Sequence, residues 1–247
     1  MPRLDQALVD RGLCDSREKA KRAILAGQVR INEQMAHKPS DTVRDTDQIS
    51  LTAPEKFVSR GGHKLEHALD YFHIDVTGKT AVDLGASTGG FTDCLLQRGA
   101  AKVCAVDVGH GQLAWKLRND PRVVVMEKVN ARTVSPAHFP KPFPSPDIIV
   151  IDCSFISLRM ILPAAIALLG VSGKIVALVK PQFEAGKAEV DKGSGVITDP
   201  AIHERVLQEL KTFVGDKTSL LWRGQTESPL LGPAGNKEFL ILLEKIT

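Results

Sequence analysis

The chain is poor in cysteine, and its four (Cys14, Cys94, Cys104 and Cys153) stand far apart with no C-x-x-C pair. That spacing suits neither a zinc knuckle nor a disulfide framework, and it fits reduced thiols in a cytoplasmic setting. His63, His67, His73, His110, His138 and His203 show no ligand spacing, so no metal centre is expected. Long apolar runs are also missing. The longest nearly apolar stretch, Ile161 to Val171, is too short to span a bilayer and contains Pro163. No apolar run of the signal-peptide kind opens the chain. The formal charge is only +3 over 247 residues, which does not by itself announce a nucleic-acid partner. Internal repeats are absent. What is present is 43% hydrophobic residues, enough for at least one full core.

Two segments of different character follow one another. In the first, residues 1–53, Arg3 to Leu8 opens a short helix that ends near Gly12. Asp15 and Glu18 have capping-box spacing, which predicts a second helix from Ser16 to Leu25. Its inner face is Ala20, Ile24 and Leu25, and Gly27 stops it. Val29–Ile31 and Gln48–Leu51 read as short strands around a polar turn. Arg17, Lys19, Lys21, Arg22 and Arg30 form either a phosphate-neutralising patch or a solvated helix face. Ala53 to Phe57 reads as a linker, placing the boundary at residues 54–58.

The second segment, residues 59–247, alternates strands with helices. Strands are expected at Thr80–Leu84, Lys102–Val108, Val123–Lys128, Asp147–Asp152, Lys174–Lys180, Thr218–Trp222 and Glu238–Leu243. Helices are expected around His63–Phe72, Thr92–Arg98, Gly111–Arg118, Leu158–Leu168 and Ile202–Val214. Several strands are continuous apolar runs, as helices on both faces of a parallel sheet require. The class is α/β, a doubly wound Rossmann-like sheet behind a small α+β domain.

Ala81 to Asp93 carries the strongest chemical signal. An apolar strand ends in the acid Asp83, a turn of small residues follows, and a helix begins near Phe91. Gly85, Gly89 and Gly90 let the backbone turn tightly and approach a ligand, while the helix N-terminus offers unpaired N–H groups. The turn reads G-x-S-x-G-G and lacks the G-x-G-x-x-G spacing of dinucleotide sites. Asp107 closes the next strand, where an acid accepts hydrogen bonds from ribose hydroxyls. NAD and S-adenosylmethionine both fit Asp107. Asp83 favours S-adenosylmethionine, because a carboxylate beside the turn suits an ammonium and a sulfonium and repels a pyrophosphate. The expected cofactor set is Asp83, Gly85, Ser87, Thr88, Gly89, Gly90, Phe91, Asp107, Asn130 and Asp152. Asn130 reads equally as an adenine contact or as a turn former.

The pattern from Arg3 through Asn32, R-L-D-x-x-L…S-R-x-x-A-x-x-x-I-x-x-G-x-V, resembles the S4 RNA-binding domain. Six further segments resemble the TlyA family, often labelled hemolysin A: Ser59–Leu65, Gly85–Thr92, Asp107–Trp115, Asp152–Leu158, Lys180–Glu184 and Gly232–Glu238. That resemblance covers nearly the whole chain. It implies an S4 domain joined to an FtsJ-like methyltransferase domain, and 2′-O-methylation of ribosomal RNA at cytidines with S-adenosylmethionine as donor. It implies Lys64, Asp152, Lys180 and Glu238 as the catalytic set, with no metal. It implies RNA contacts from Arg3, Arg17, Lys19, Lys21, Arg22, Arg30 and Arg60, and ribosomal RNA or a ribosomal subunit as partner. In this set Lys180 accepts or steers the proton of the attacking hydroxyl, and Lys64 opposes its charged form. Asp152 pairs with one lysine, while Glu238 fixes Lys64 or Lys180.

Ser154 lacks a G-x-S-x-G elbow and is read as a helix N-cap. The stretch from Glu184 to Asp199, with Gly186, Lys187, Lys192, Gly193 and Gly195, reads as a loop that closes over RNA or as an ordinary mobile loop. Two other functions compete: a catalytically silent RNA-binding assembly factor, and a membrane-lytic protein. The second lacks a spanning segment or an apolar amphipathic helix.

Overall fold

A computed structural model of the chain describes residues 1–52, 55–141 and 145–246. It divides into two units, Met1–Lys56 and Phe57–Thr247. In the first, helices α1 (Leu4–Asp10) and α2 (Arg17–Leu25) accompany strands β1 (Val29–Ile31), β2 (Gln34–Met35) and β3 (Ile49–Leu51). The strands form an antiparallel sheet in the order β2-β1-β3. Leu4, Leu8, Ala20, Ile24, Val29 and Val43 fill a small core. Ser16, not Asp15, caps α2 by accepting from the Lys19 amide at 3.3 Å. Asp15 instead pairs with the Lys19 ammonium. Leu25, expected inside, is 71% exposed, and Ala23 takes its place on the buried face. One turn of α2 is thus enough to shift the apolar stripe away from the helix end.

Ala53 and Pro54 of the expected linker lie outside the described residues. Phe57 and Val58 depart from the linker reading. Phe57 is buried against the helix that follows, and the Val58 amide donates to Asp93 at 2.8 Å. An apolar ring at a domain edge finds a core more readily than water.

The second unit opens with α3 (Gly61–Tyr71) and continues β4 (Thr80–Leu84), α4 (Gly90–Gln97), β5 (Lys102–Asp107), α5 (Trp115–Arg118) and β6 (Val123–Glu127). After it come β7 (Ile148–Ile151), α6 (Leu158–Leu168), β8 (Lys174–Val179), the short α7 (Pro181–Glu184) and α8 (Lys187–Lys192), α9 (Pro200–Lys217), β9 (Leu220–Glu227) and β10 (Phe239–Lys245). One seven-stranded sheet results, ordered β6-β5-β4-β7-β8-β10-β9. Strands β4 to β8 run parallel and β10 runs antiparallel to both neighbours. One face packs under α6 and α9 and the other under α3 and α4, which makes the inner strands apolar on both sides.

Three elements differ from expectation. The helix expected from Gly111 begins only at Trp115, because Gly111 takes a φ of +71°. Strand β9 runs to Glu227, five residues past the expected end at Trp222, and it alternates exposed with half-buried positions as an edge strand does. The stretch from Glu184 to Asp199 carries α8 rather than only loop. Chain order reverses beside β4, which pairs with both β5 and β7, and a doubly wound sheet binds its ligand outside the strand ends at such a point. Phe239 is in register with Val179, so the start of β10 lies at the carboxyl edge of the parallel strands. Among the described residues no helix is long and apolar enough to cross a membrane.

Candidate active site

The turn after β4 is held by two amides, of Gly85 and Ala86, that both donate to the Val106 carbonyl of β5. Gly85 then takes a φ of +88°, and a Cβ there would meet the Asp152 carbonyl oxygen at 2.6 Å. Glycine at this position allows the ends of β4 and β7 to sit side by side. At Gly90 a Cβ would fall 2.8 Å from the Gly62 amide nitrogen, so α4 meets the start of α3 only without a side chain. The Asp107 carboxylate accepts from the amides of Ser87 and Gly109, each at 2.7 Å. These bonds fix its direction, and each oxygen keeps a lone pair for a hydroxyl.

Two cavities open at this edge. One, of about 490 Å³, is lined by Asp107, Val108, Val129, Asn130, Phe155 and neighbouring residues. The other, of about 260 Å³, is lined by Arg60, Lys64, Thr88, Gly90, Phe91 and Lys180 among others. Gly85, Ser87, Asp152 and Ser154 line both, so the cavities meet there. Of the expected cofactor set, Asp83 and Gly89 line neither. Strand alternation turns Asp83 toward α4, where it is fully buried and accepts from the Thr92 hydroxyl at 2.7 Å. Gly89 instead meets Leu117 and Leu113, so its missing side chain serves packing.

Burial raises the Asp83 carboxyl from 3.8 to about 7, and the Asp152 and Asp107 charges add to the rise. Folding therefore favours the protonated acid. This residue's contribution to stability is full below about pH 4 and is lost as pH rises through about 7. Asp83→Asn should remove that slope, so urea unfolding at about pH 5 and pH 8 should show the variant gaining on the parent at the higher pH. An unchanged slope would contradict the assignment.

The four expected catalytic residues do converge on this edge, as two ion pairs. Lys64 of α3 meets Glu238 at 2.5 Å, both buried. Lys180, just past β8, lies 2.6 Å from Asp152, just past β7. The pairing open in the sequence is thus resolved: Glu238 holds Lys64, and Asp152 holds Lys180. Glu238 lies behind Lys64 and lines neither cavity; Gly232 leaves room for its carboxylate, which a Cβ would approach to 2.6 Å. Ser154, read as a helix cap, is not one: Ser157 caps α6, accepting from the Arg159 amide at 3.2 Å. Ser154 instead accepts from the Lys180 ammonium at 2.8 Å. The only sequence signal for that role was its place two residues after Asp152. Arg60 lines the smaller cavity beside Lys64 and Lys180. Among the described residues no cluster of acids, histidines and cysteines is arranged to hold a metal.

In the first unit most of the expected RNA-contacting cations are engaged. Arg3 and Arg17 both clamp the fully buried Asp5, and the Arg3 and Arg17 hydrogen bonds and charges outweigh its burial and hold its carboxyl at about 2. Lys21 pairs with Glu18, and Arg30 donates to the Glu33 carbonyl. Arg22 is exposed, and its charge adds to that of Lys21 in holding the Glu18 carboxyl below its usual value.

S-adenosylmethionine fits this edge: a turn closed to side chains at Gly85, a cavity beside it, and the Asp107 carboxylate with lone pairs free for ribose hydroxyls. The fold and site define a methyltransferase of the S-adenosylmethionine-dependent class. The chain belongs to the FtsJ-like methyltransferase family, whose model matches residues 57–245, and an S4 domain matches residues 2–49. It is 47% identical over 249 residues to the 16S/23S rRNA (cytidine-2'-O)-methyltransferase TlyA of Mycobacterium tuberculosis, covering 99% of this chain and 90% of that one. Hemolysin A of Brachyspira hyodysenteriae is 44% identical over 96% of this chain and 98% of its own. A solved Streptococcus thermophilus structure, also labelled a hemolysin, is 44% identical with a TM-score of 0.75, covering 99% of this chain and 88% of that one.

Proposed function

We propose that this protein transfers the methyl group of S-adenosylmethionine to a ribose 2′-hydroxyl of ribosomal RNA, at cytidine, with the first unit docking the RNA. The observation that carries this reading is the Lys180 nitrogen in the smaller cavity, held by Asp152 and Ser154, which line both cavities. When bound, S-adenosylmethionine supplies an electrophilic methyl on a sulfonium. The larger cavity takes its nucleoside, with Asp107 on the ribose hydroxyls and Asn130 beside the base. The smaller cavity takes the acceptor ribose, with Arg60 toward its phosphate. Lys180, after giving one proton to water, would receive the proton of the 2′-hydroxyl as the oxygen–methyl bond forms and the sulfonium–methyl bond breaks, leaving the donor as a thioether. Lys64, fixed by Glu238, keeps the cavity cationic for the RNA strand. Holding hydroxyl and methyl in line supplies much of the rate.

The relative's cytidine specificity and the S4 match support ribosomal RNA as substrate. Incubation with methyl-labelled S-adenosylmethionine and ribosomal subunits should label the RNA at ribose. Cofactor binding with no transfer to any ribosomal particle would instead leave a silent assembly factor. For the first unit, the exposed Arg22 should be a phosphate contact. Arg22→Ala is then expected to weaken RNA binding evenly across sequences and to lower the salt slope by about one. Filter binding at several salt concentrations checks this, and an unchanged slope removes Arg22 from the interface.

A further inference from the structure

We infer that Ser154 is a positioning residue that aims the Lys180 lone pair at the acceptor hydroxyl, an inference that rests on the transfer reaction proposed above. A lysine amine is tetrahedral at nitrogen. When it acts as a base it has two N–H bonds and one lone pair, and only the lone pair can take a proton. The Asp152 oxygen, 2.6 Å away, makes no aligned hydrogen bond, but its negative charge turns the lone pair away from that side. That charge alone leaves the nitrogen free to rotate. The Ser154 hydroxyl, accepting at 2.8 Å, fixes one N–H direction. With one N–H aimed at Ser154 and one side closed by charge, one direction remains for the lone pair. Ser154 lines both cavities, so the remaining direction is set at their junction.

The loop carrying Ser154 is itself pinned on both sides. Before it, the Cys153 thiol donates to the Leu84 carbonyl at 3.4 Å, tying the loop to the cofactor turn. After it, Glu184 accepts from the Ser157 hydroxyl at 2.7 Å and from the Leu158 amide at 2.6 Å. Glu184 follows Lys180 on α7, so one short segment supplies the lysine and the clamp on its partner loop. Phe155 between them takes a φ of +63°, a strained backbone for a bulky residue, with its ring 5.1 Å from that of Phe183. The surrounding contacts hold that conformation, and it presents the Ser154 hydroxyl to Lys180.

Single-turnover transfer of labelled methyl to ribosomal RNA tests this, together with calorimetric binding of S-adenosylmethionine to each variant. Ser154→Ala should lower the transfer rate constant about tenfold, as misaimed groups do. Cofactor affinity and RNA half-saturation should stay within about twofold. Ser154→Thr, which keeps the hydroxyl, should restore most of the rate. In a Lys180→Ala background, Ser154→Ala should add no further loss, because the residue acts through that lysine. An equal tenfold loss in that background, weakened cofactor binding in Ser154→Ala, or a parent rate in Ser154→Ala would each overturn the inference. A parent protein without transfer activity overturns the reaction itself, whereas an active parent matched by Ser154→Ala overturns this inference alone.

Discussion

Lys180→Ala should leave a folded protein that still binds S-adenosylmethionine but transfers methyl about a hundred- to ten-thousand-fold more slowly. The expectation follows from position. Lys180 lines the smaller cavity, and its nitrogen is tied to Asp152 and Ser154, which line both cavities, rather than to the core. Its side chain is 10% exposed and the residue follows β8, so truncation removes no strand pairing. The substitution also leaves Asp152, about a quarter exposed, without its cation; water at the cavity mouth can solvate it. Stability should therefore change little compared with rate. Labelled transfer measured alongside cofactor calorimetry separates the two, and a parent-like rate would remove Lys180 from the mechanism.

Gly85→Ala should lower cofactor affinity by more than about a hundredfold, because it attacks the turn and the cavity wall together. The new methyl would lie 2.6 Å from the Asp152 carbonyl oxygen and 3.0 Å from the Cys153 sulfur, both at the end of β7. Relief requires β4 and β7 to part at the sheet's switch point, moving Asp152 and Ser154 away from Lys180. A φ of +88° adds a backbone cost of about 1–3 kcal/mol. Gly78→Ala is the matched control: its φ is +70°, and a Cβ there meets nothing within 4 Å. It should show the backbone cost alone and bind S-adenosylmethionine like the parent. If Gly85→Ala also binds like the parent, the turn is not the cofactor cradle.

Much of this site was legible because its parts sit at strand ends, and strands that are apolar on both faces are easy to place. Asp107, Asp152 and Lys180 each follow such a run, so the sheet alone brought them to one edge. Glu238 needed the strand direction as well, and only the antiparallel register of β10 puts it beside Lys180's strand. Asp83 lies elsewhere than its sequence reading placed it, because a residue's place in sequence does not say which face of a strand it takes. One position from the turn, it is buried against α4, where it accepts from the Thr92 hydroxyl. Ser154 was missed for a different reason. Two serines three residues apart both precede a helix, and the choice of cap depends on where Glu184 arrives from another strand. The cationic patch on α2 was read from charge without its acids, and Asp5, Asp15 and Glu18 occupy most of it. The Asp15–Lys19 and Glu18–Lys21 pairs stand at i,i+4 and i,i+3 spacing and were legible in the sequence; only the Asp5–Arg17 pair, twelve residues apart, leaves no periodic trace.

The central claim is methyl transfer to a ribose hydroxyl of ribosomal RNA, and the most direct measurement maps 2′-O-methyl groups across that RNA. The RNA should come from cells with this protein, without it, and with only its Lys180→Ala form. At least one cytidine ribose methyl should be present in the first sample and missing from the other two. Identical ribose maps in all three, or loss of a base methyl in place of a ribose methyl, would contradict it.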